Sequence, residues 1–221
     1  MDENFRIMRN QIIGIIKEAL ENREDFFTRE QEIQIYLADY LNRKNLFDKV
    51  YLEYHIPSNS LVNYPWKDSN NIYIDIVIVS GNKYYPVEIK YKTISQTMPL
   101  KLFGTSSTVV LGHQGAQNIG CYDFWKDIKR LELFEENFEN VEQGIMLFVT
   151  NDESYLQKPR NNKVGYAQFS IHENTVVESG QTLDWNGDLS ISVNRPPIKL
   201  NNRYLLNWKK LNLKQHKYLL L

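Results

Sequence analysis

The sequence predicts an α/β fold in three layers, a central mixed β-sheet flanked by helices in the order α-β-β-β-α-β. Three observations predict it. Apolar residues recur at helical spacing in residues 28–41 and again in 116–134. Residues 72–92, IYIDIVIVSGNKYYPVEIKYK, read as two β arms rich in Ile, Val and Tyr around a Gly81-Asn82 turn. Residues 144–150, GIMLFVT, are a short apolar run, the mark of a strand buried on both faces and reached by a helical crossover.

The elements follow in order within one domain of 221 residues. Phe5, Met8, Ile12, Ile15, Ile16 and Ala19 place a packing helix over residues 3–22, inside an N-terminal part of 1–27. A core of 28–150 begins with a second helix after Thr28, where Thr28 and Gln31 match a capping box and Ile33, Tyr36, Leu37, Tyr40 and Leu41 share a face with Glu32. Glu32 either serves the helix dipole or reaches a metal site. Residues 49–55, KVYLEYH, form the first strand, with Glu53 either solvated or lining the same cleft. The polar loop after it carries Tyr64, Trp66 and Lys67 as candidate contacts.

Beyond the hairpin, residues 93–115 are long for a connection and rich in Gly, Ser and Thr, which suggests a mobile flap. Their glycines lack the Lys-Ser/Thr ending of a phosphate-binding loop. The helix over 116–134 buries Gly120, Cys121, Phe124, Trp125, Ile128 and Leu131, leaving Asp123, Lys126, Asp127 and Arg130 to solvent. Gln114 and Gln117 at its start either cap it or meet a phosphate. A β-rich, basic part of 151–221 closes the domain, with strands expected at 164–172, 189–193 and 203–208.

The Gly-Asn turn fixes a register. If Ser80 faces Lys83, then Val77 meets Pro86, Asp75 meets Glu88 and Tyr73 meets Lys90, while Ile78, Ile76, Ile74 and Ile72 meet Tyr85, Val87, Ile89 and Tyr91 on a wholly apolar face. Opposed carboxylates, their Cβ atoms roughly 4.5–5.5 Å apart, destabilise a sheet unless compensated. A shared Mg²⁺ would compensate them, since that ion takes one or two carboxylates plus water and phosphate oxygens. Glu-x-Lys alone is expected about once in ~220 residues by chance, and Asp127-Ile128-Lys129 repeats the spacing on a helix, where such side chains fan apart. Placement opposite Asp75 is what singles out Glu88-Ile89-Lys90.

Composition narrows the classes. With 42% hydrophobic and 24% charged residues the chain can bury a full core, and a net charge of −1 gives no global basic excess for nucleic acid. No apolar run approaches the roughly 18 residues of a membrane span and no secretory leader opens the chain, so a cytoplasmic protein without membrane contact is expected. Cys121 has no partner for an internal disulfide, and His55, His113, His172 and His216 show no zinc-ligand spacing. From Arg195 onward two Arg and five Lys, Lys214 among them, stand without an acid and with Tyr204, Trp208 and Tyr218 interleaved. That tail either tracks a nucleic-acid strand or balances the acidic run from Glu132 to Glu153.

The α-β-β-β-α-β order, an Asp on the second strand and Glu-x-Lys on the third resemble the PD-(D/E)XK nuclease superfamily, with its restriction endonuclease-like core, over residues 28–150. Asp75 matches the motif's Asp, Glu88 its variable acid, Lys90 its Lys, and Glu32 the acid that some members carry on the first helix. Ile74 replaces the Pro often found before the Asp, Pro86 falls within the third strand, and Gln117 stands five residues before Tyr122, off the Gln-x-x-x-Tyr spacing of one branch. The resemblance implies an Mg²⁺-dependent endonuclease, with Mn²⁺ as substitute, in restriction, defence or repair. Asp75, Glu88 and the Ile89 carbonyl would hold the metal, and Lys90 would position or help deprotonate the attacking water. Gln114, Gln117 and Lys92 would contact the nucleic acid, and the products would carry a 5′-phosphate and a 3′-hydroxyl. DNA is the implied substrate with RNA open, and a homodimer or a methyltransferase or helicase partner fits such systems. The rival expectation is an inactive nucleic-acid-binding or assembly subunit of the same fold.

Overall fold

The computed structural model describes residues 3–66, 70–187, 190–212 and 215–221, with side chains from residue 7 onward. The side chain of Phe5, together with Lys67, Leu189 and Lys214, therefore lies outside the described residues. Helices α1 (Glu3–Glu21) and α2 (Glu30–Arg43) precede strands β1 (Lys49–Pro57), β2 (Asn71–Ser80) and β3 (Lys83–Lys92). A separate hairpin of β4 (Gln96–Leu102) and β5 (Thr105–Leu111), helix α3 (Gln117–Asn137) and strand β6 (Ile145–Thr150) follow. The central sheet runs β1-β2-β3-β6 and then takes in the C-terminal strands Lys217–Leu220 and Lys209–Lys210. Its pairs are antiparallel except β3 with β6, which are parallel, so the sheet is mixed.

Each face of that sheet is covered for reasons visible in its residues. Ile12, Ile15, Ile16 and Ala19 of α1 and Ile33, Leu37 and Leu41 of α2 are buried against Ile76, Ile78, Val87 and Ile89. On the other face Phe124, Trp125 and Ile128 of α3 are buried against Val77, Met146 and Phe148. β6 is buried along its whole length, sending Ile145, Leu147 and Val149 to the α1–α2 side and Met146 and Phe148 to the α3 side. Each such side chain contributes about 1.5–3 kcal/mol on burial. Among the described residues no helix is long and apolar enough to cross a membrane.

Three expectations change. Residues 93–115 hold a regular hairpin rather than a loose flap, turning at Phe103-Gly104 with φ of 49° and 85°. Pro99 is tolerated there because, opposite Thr108, it falls at a non-hydrogen-bonded position of the ladder. No strand forms over 164–172: the N–H groups of Ala167, Phe169 and Ser170 bond back to Val164, Tyr166 and Ala167, giving turns and one 3₁₀ segment, Ala167–Phe169. Ser190–Ser192 is likewise 3₁₀, whereas Tyr204–Leu205 is a short strand paired with Val176–Val177.

The basic C-terminal part is folded into the body. Trp208 and Tyr218 are buried, Tyr204 Oη donates to Glu132, Arg203 pairs with Glu178 and Lys217 with Glu153. These aromatic rings are committed to packing, and two of the tail's cations, Arg203 and Lys217, balance acids of the same chain.

Candidate functional site

The hairpin keeps the register set by its turn for half its length. Gly81 takes φ 60°, and the partners run from Ser80↔Lys83 through Val77↔Pro86 to Ile76↔Val87. Pro86 interrupts the other edge, where the parallel ladder with β6 begins at Val87↔Ile145. Past Ile76 the strands part. The N–H groups of Ile89 and Tyr91, which Ile74 and Ile72 would have taken in a continued ladder, go instead to carboxylates: Ile89 N–H to Asp75 Oδ2 at 2.6 Å, and Tyr91 N–H to Glu30 Oε2 at 2.7 Å.

The same point is a kink between β1 and β2. Their partners run from Lys49↔Val79 to Leu52↔Ile76 and resume at Tyr54↔Ile74, skipping Glu53 and Asp75. Glu53 sits at φ 49°, a conformation that costs a non-glycine residue about 1 kcal/mol or more. Ile76 and Ile78 pack on the α1–α2 side but Ile72 and Ile74 on the α3 side, so the strand's alternation inverts across Asp75. The apolar face expected to run from Ile72 to Ile78 is thus divided between the two layers. Buried Gln34 on α2 fixes the kink, its Nε2 donating to Glu53 Oε1 at 2.9 Å and to the Asp75 carbonyl at 2.6 Å.

Glu88 and Lys90, two residues apart on β3, meet α3. Arg130 reaches Glu88 Oε1 through Nη2 at 2.7 Å and Nε at 3.1 Å, and its Nη2 also lies 2.8 Å from Asp127 Oδ1. Asp127 Oδ2 stands 2.7 Å from Lys90 Nζ. Glu88 is 1% exposed and Asp127 3%, so this is a buried chain of acid, base, acid, base. The expectation that Asp127 and Arg130 are solvated is overturned. Asp127 lies three residues after Phe124 and one before Ile128, within the buried stripe of α3.

Electrostatics follow the geometry. Burial pushes the Asp75 carboxyl up to about 6, against the Ile89 hydrogen bond and Lys90, with Glu30 and Asp127 adding to the rise. Glu88 is raised well above the ordinary range by burial, which the neighbouring Arg130 only partly offsets. For Lys90 burial lowers, but Asp127, Glu30 and Glu88 outweigh it and hold the ammonium charged. Asp127 is lowered despite its burial because Arg130 and Lys90 both face it, and it keeps its charge more firmly than Glu88, which has one close cation.

Of the sequence-predicted residues, Asp75, Glu88, Ile89 and Lys90 come together. Glu32 does not join them: its Oε1 is 2.8 Å from Arg23 Nη2, and its Oε2 accepts from Thr28 N–H at 2.8 Å and Thr28 Oγ1 at 3.0 Å, so it organises the start of α2. The α2 acid at the site is Glu30, two residues earlier, whose Oε2 accepts from the Tyr91 N–H. Gln117 spends its Nε2 on the Ser154 carbonyl at 2.6 Å, and Gln114 is exposed with its N–H on the Thr93 carbonyl. Lys92 is half-buried at the end of β3, and its charge, like those of Lys90 and Lys126, acts on the Asp123 carboxyl, which burial raises. Glu30, Gln34, Asp127 and Arg130 were not singled out from the sequence, although an acid and a base inside the apolar period of α3 were a signal for the last two.

A cleft of about 630 Å³ is walled by Trp66, Tyr122, Asp123, Lys126, Arg195 and Pro196; it contains none of the site's carboxylates, although Asp123 in its wall feels the charges of Asp127 and Lys90. Lys126 Nζ lies 5.5 Å over the Trp66 ring. A second cleft, about 570 Å³, is walled by Tyr54, Ile74, Tyr84, Phe134 and Phe138 and contains none of the site's carboxylates. The donor set of Asp75, Glu88 and the Ile89 carbonyl is all oxygen, as a hard divalent cation requires. Four carboxylates, Asp75, Glu88, Asp127 and Glu30, face two cations, Lys90 and Arg130, and Glu30 and Asp127 add a smaller part to the rise that burial gives Asp75. Among the described residues no three His, Cys, Asp or Glu side chains are grouped to enclose a metal by themselves. A cation here would complete its shell with carbonyl, water and phosphate oxygens. Comparison with family models, with curated proteins and with solved structures finds no match for this chain.

Proposed function

We propose that this protein is a divalent-metal-dependent phosphodiester hydrolase, a DNA endonuclease built on the restriction endonuclease-like αβββαβ core. The observation that carries the reading is the opening of the hairpin at Asp75, where one carboxylate holds the backbone between Glu88 and Lys90 at 2.6 Å. The mixed sheet, with β3 parallel to β6 and α3 crossing between them, supports the same arrangement.

Asp75, Glu88 and the Ile89 carbonyl would hold Mg²⁺ or Mn²⁺. Such an ion polarises the scissile phosphate and acidifies a bound water. Asp75 is oriented for this by the Ile89 N–H, and its backbone is fixed by Gln34. Lys90, kept charged by Asp127, Glu30 and Glu88, stabilises negative charge developing on the phosphate rather than accepting the water's proton. Proton acceptance then falls to a carboxylate of the cluster or to a phosphate oxygen. The cleft that Lys126 and Arg195 line offers cations for a nucleic-acid backbone, while Trp66 in its wall is buried and packs under Lys126.

The test is Mg²⁺-dependent cleavage of plasmid and single-stranded DNA, with an RNA arm, by wild type, Asp75→Ala and Lys90→Ala. Loss of cleavage of about 100-fold or more in both variants is expected, the usual scale for removing a transition-state contact. Equal cleavage by all three proteins would remove these residues from the mechanism. A second reading, an inactive binding or assembly subunit, is favoured by Arg130, which already gives Glu88 a counter-ion at 2.7 Å. Titration calorimetry with Mn²⁺ separates the two, since the subunit reading expects no binding that depends on Asp75.

A further inference from the structure

Four charged side chains on two elements form an unbroken chain of contacts that the hydrolase reading leaves partly unused. On β3, positions 88 and 90 share one face of the strand. On α3, positions 127 and 130 are one turn apart on one face of the helix. Arg130 Nη2 is divided between Glu88 Oε1 at 2.7 Å and Asp127 Oδ1 at 2.8 Å, and the other oxygen of Asp127 is spent on Lys90 Nζ at 2.7 Å.

Burying such a set is costly, and an apolar set of similar volume would dock α3 at least as well. The surroundings supply that alternative in abundance: Phe124, Trp125, Ile128 and Leu131 already dock the helix through buried apolar contact. The charges therefore do something other than attach α3. Because Asp127 and Glu88 share one nitrogen of Arg130, Nη2, the guanidinium is divided between them, and Glu88 is held in place without being neutralised outright.

We propose that Arg130 and Asp127 are positioning residues of the candidate site, Arg130 acting as the resident counter-ion of Glu88 that an incoming divalent cation displaces or shares, and Asp127 as the tether that draws Arg130 off Glu88 while fixing Lys90. This rests on the metal-dependent reading of Asp75 and Glu88, and it adds a property that reading lacks: the two α3 residues act on metal affinity in opposite directions. Without Arg130, Glu88 is left for the cation alone. Without Asp127, Arg130 turns wholly to Glu88 and competes harder.

The test is calorimetric titration of the full chain with Mn²⁺ for wild type, Arg130→Gln, Arg130→Lys and Asp127→Asn, with thermal unfolding of each apo protein alongside. Arg130→Gln should tighten Mn²⁺ binding by about tenfold, the equivalent of one charge-assisted hydrogen bond, and Asp127→Asn should weaken it by about tenfold. Arg130→Lys, which keeps the charge without the two-nitrogen grip, should fall between wild type and Arg130→Gln, and it carries the test if the Gln variant does not fold. In cleavage, Asp127→Asn should lower kcat more than it raises KM, because Lys90 loses its orientation. A merely structural pair would weaken Mn²⁺ binding in every variant in step with lost stability, and that result, or unchanged binding in all of them, overturns the proposal while leaving the hydrolase reading standing. Absence of Asp75-dependent Mn²⁺ binding in wild type would instead defeat the hydrolase reading and the positioning role together.

Discussion

Replacing Asp75 by Asn should make the protein more stable above pH 7 and less active. The folded state raises the Asp75 carboxyl from its ordinary 3.8 to about 6, chiefly by burial. At about 1.4 kcal/mol per pH unit, ionising it therefore costs the fold about 3 kcal/mol once the pH exceeds both values. The sign follows from proton binding: between 3.8 and about 6 the native state holds the proton that the unfolded state has lost, so stability falls as pH rises through that window. Asn carries no charge and its side-chain oxygen can still accept the Ile89 N–H, but its buried NH₂ finds no ready partner and gives back about 1 kcal/mol. The expected net gain at pH 8 is about 2 kcal/mol, a rise in Tm of roughly 4–8 °C for a chain of this size. Thermal unfolding followed by circular dichroism at pH 8 and pH 4 measures it. At pH 4 the gain should vanish, and millimolar Mg²⁺ at pH 8 should raise the Tm of wild type but not of Asp75→Asn. Equal midpoints at pH 8, or a gain that persists at pH 4, would refute the charge-strain account of the site.

The two acids of α2 should separate in the same assays. Glu30→Gln should cut cleavage by more than about tenfold, since its carboxylate sits on the Tyr91 N–H beside Lys90. Glu32→Gln should leave cleavage within about twofold and cost about 1 kcal/mol through the loosened Thr28 turn, with the opposite pattern restoring Glu32 to the site. Gly120→Ala should destabilise by about 1–3 kcal/mol without touching metal binding, because a Cβ there meets the buried Tyr155 hydroxyl; urea unfolding reads it, and a neutral result would show that Tyr155 yields.

Much of this fold was legible because it obeys local periodicity. The stripes of α1, α2 and α3, the uniform burial of β6 and the turn at Gly81 all follow from neighbours within a few residues. The hairpin β4–β5 was missed because its turn places Phe103, a side chain with no preference for left-handed backbone, at φ 49°. The strand expected over 164–172 failed for a tertiary reason: Phe169 and Ile171 are drawn singly into the α3-side core while the backbone between them closes local turns. At the site, strand alternation pointed to Asp75, Glu88 and Lys90 but not to the kink at Glu53, since nothing in KVYLEYH marks a left-handed residue. The role of Asp127 is hidden in the sequence because its Asp-x-Lys lies on a helix. That geometric point is correct for Lys129, which turns away to Glu132, but it said nothing about Lys90 arriving from the sheet.

The kink and the charges account for one another. A β2–β3 ladder continued past Ile76 would place Asp75 and Glu88 side by side and leave their repulsion to be borne by the sheet. Inverting the strand at Glu53 and Asp75 lets the Asp75 carboxylate take a backbone donor, the Ile89 N–H, in place of a side-chain neighbour. The vacated donor at Tyr91 is taken by Glu30, so two β3 N–H groups that a continued ladder would give to β2 go to carboxylates instead. Gln34 then ties both kinked strands to α2 through one amide nitrogen. A fold selected for stability alone would close the ladder with apolar pairs, as it does from Ile76↔Val87 to the turn. The half of the hairpin near the turn builds the core. The half that opens gathers carboxylates around Lys90, and that division within one pair of strands is what the proposed hydrolase reading of Asp75 rests on.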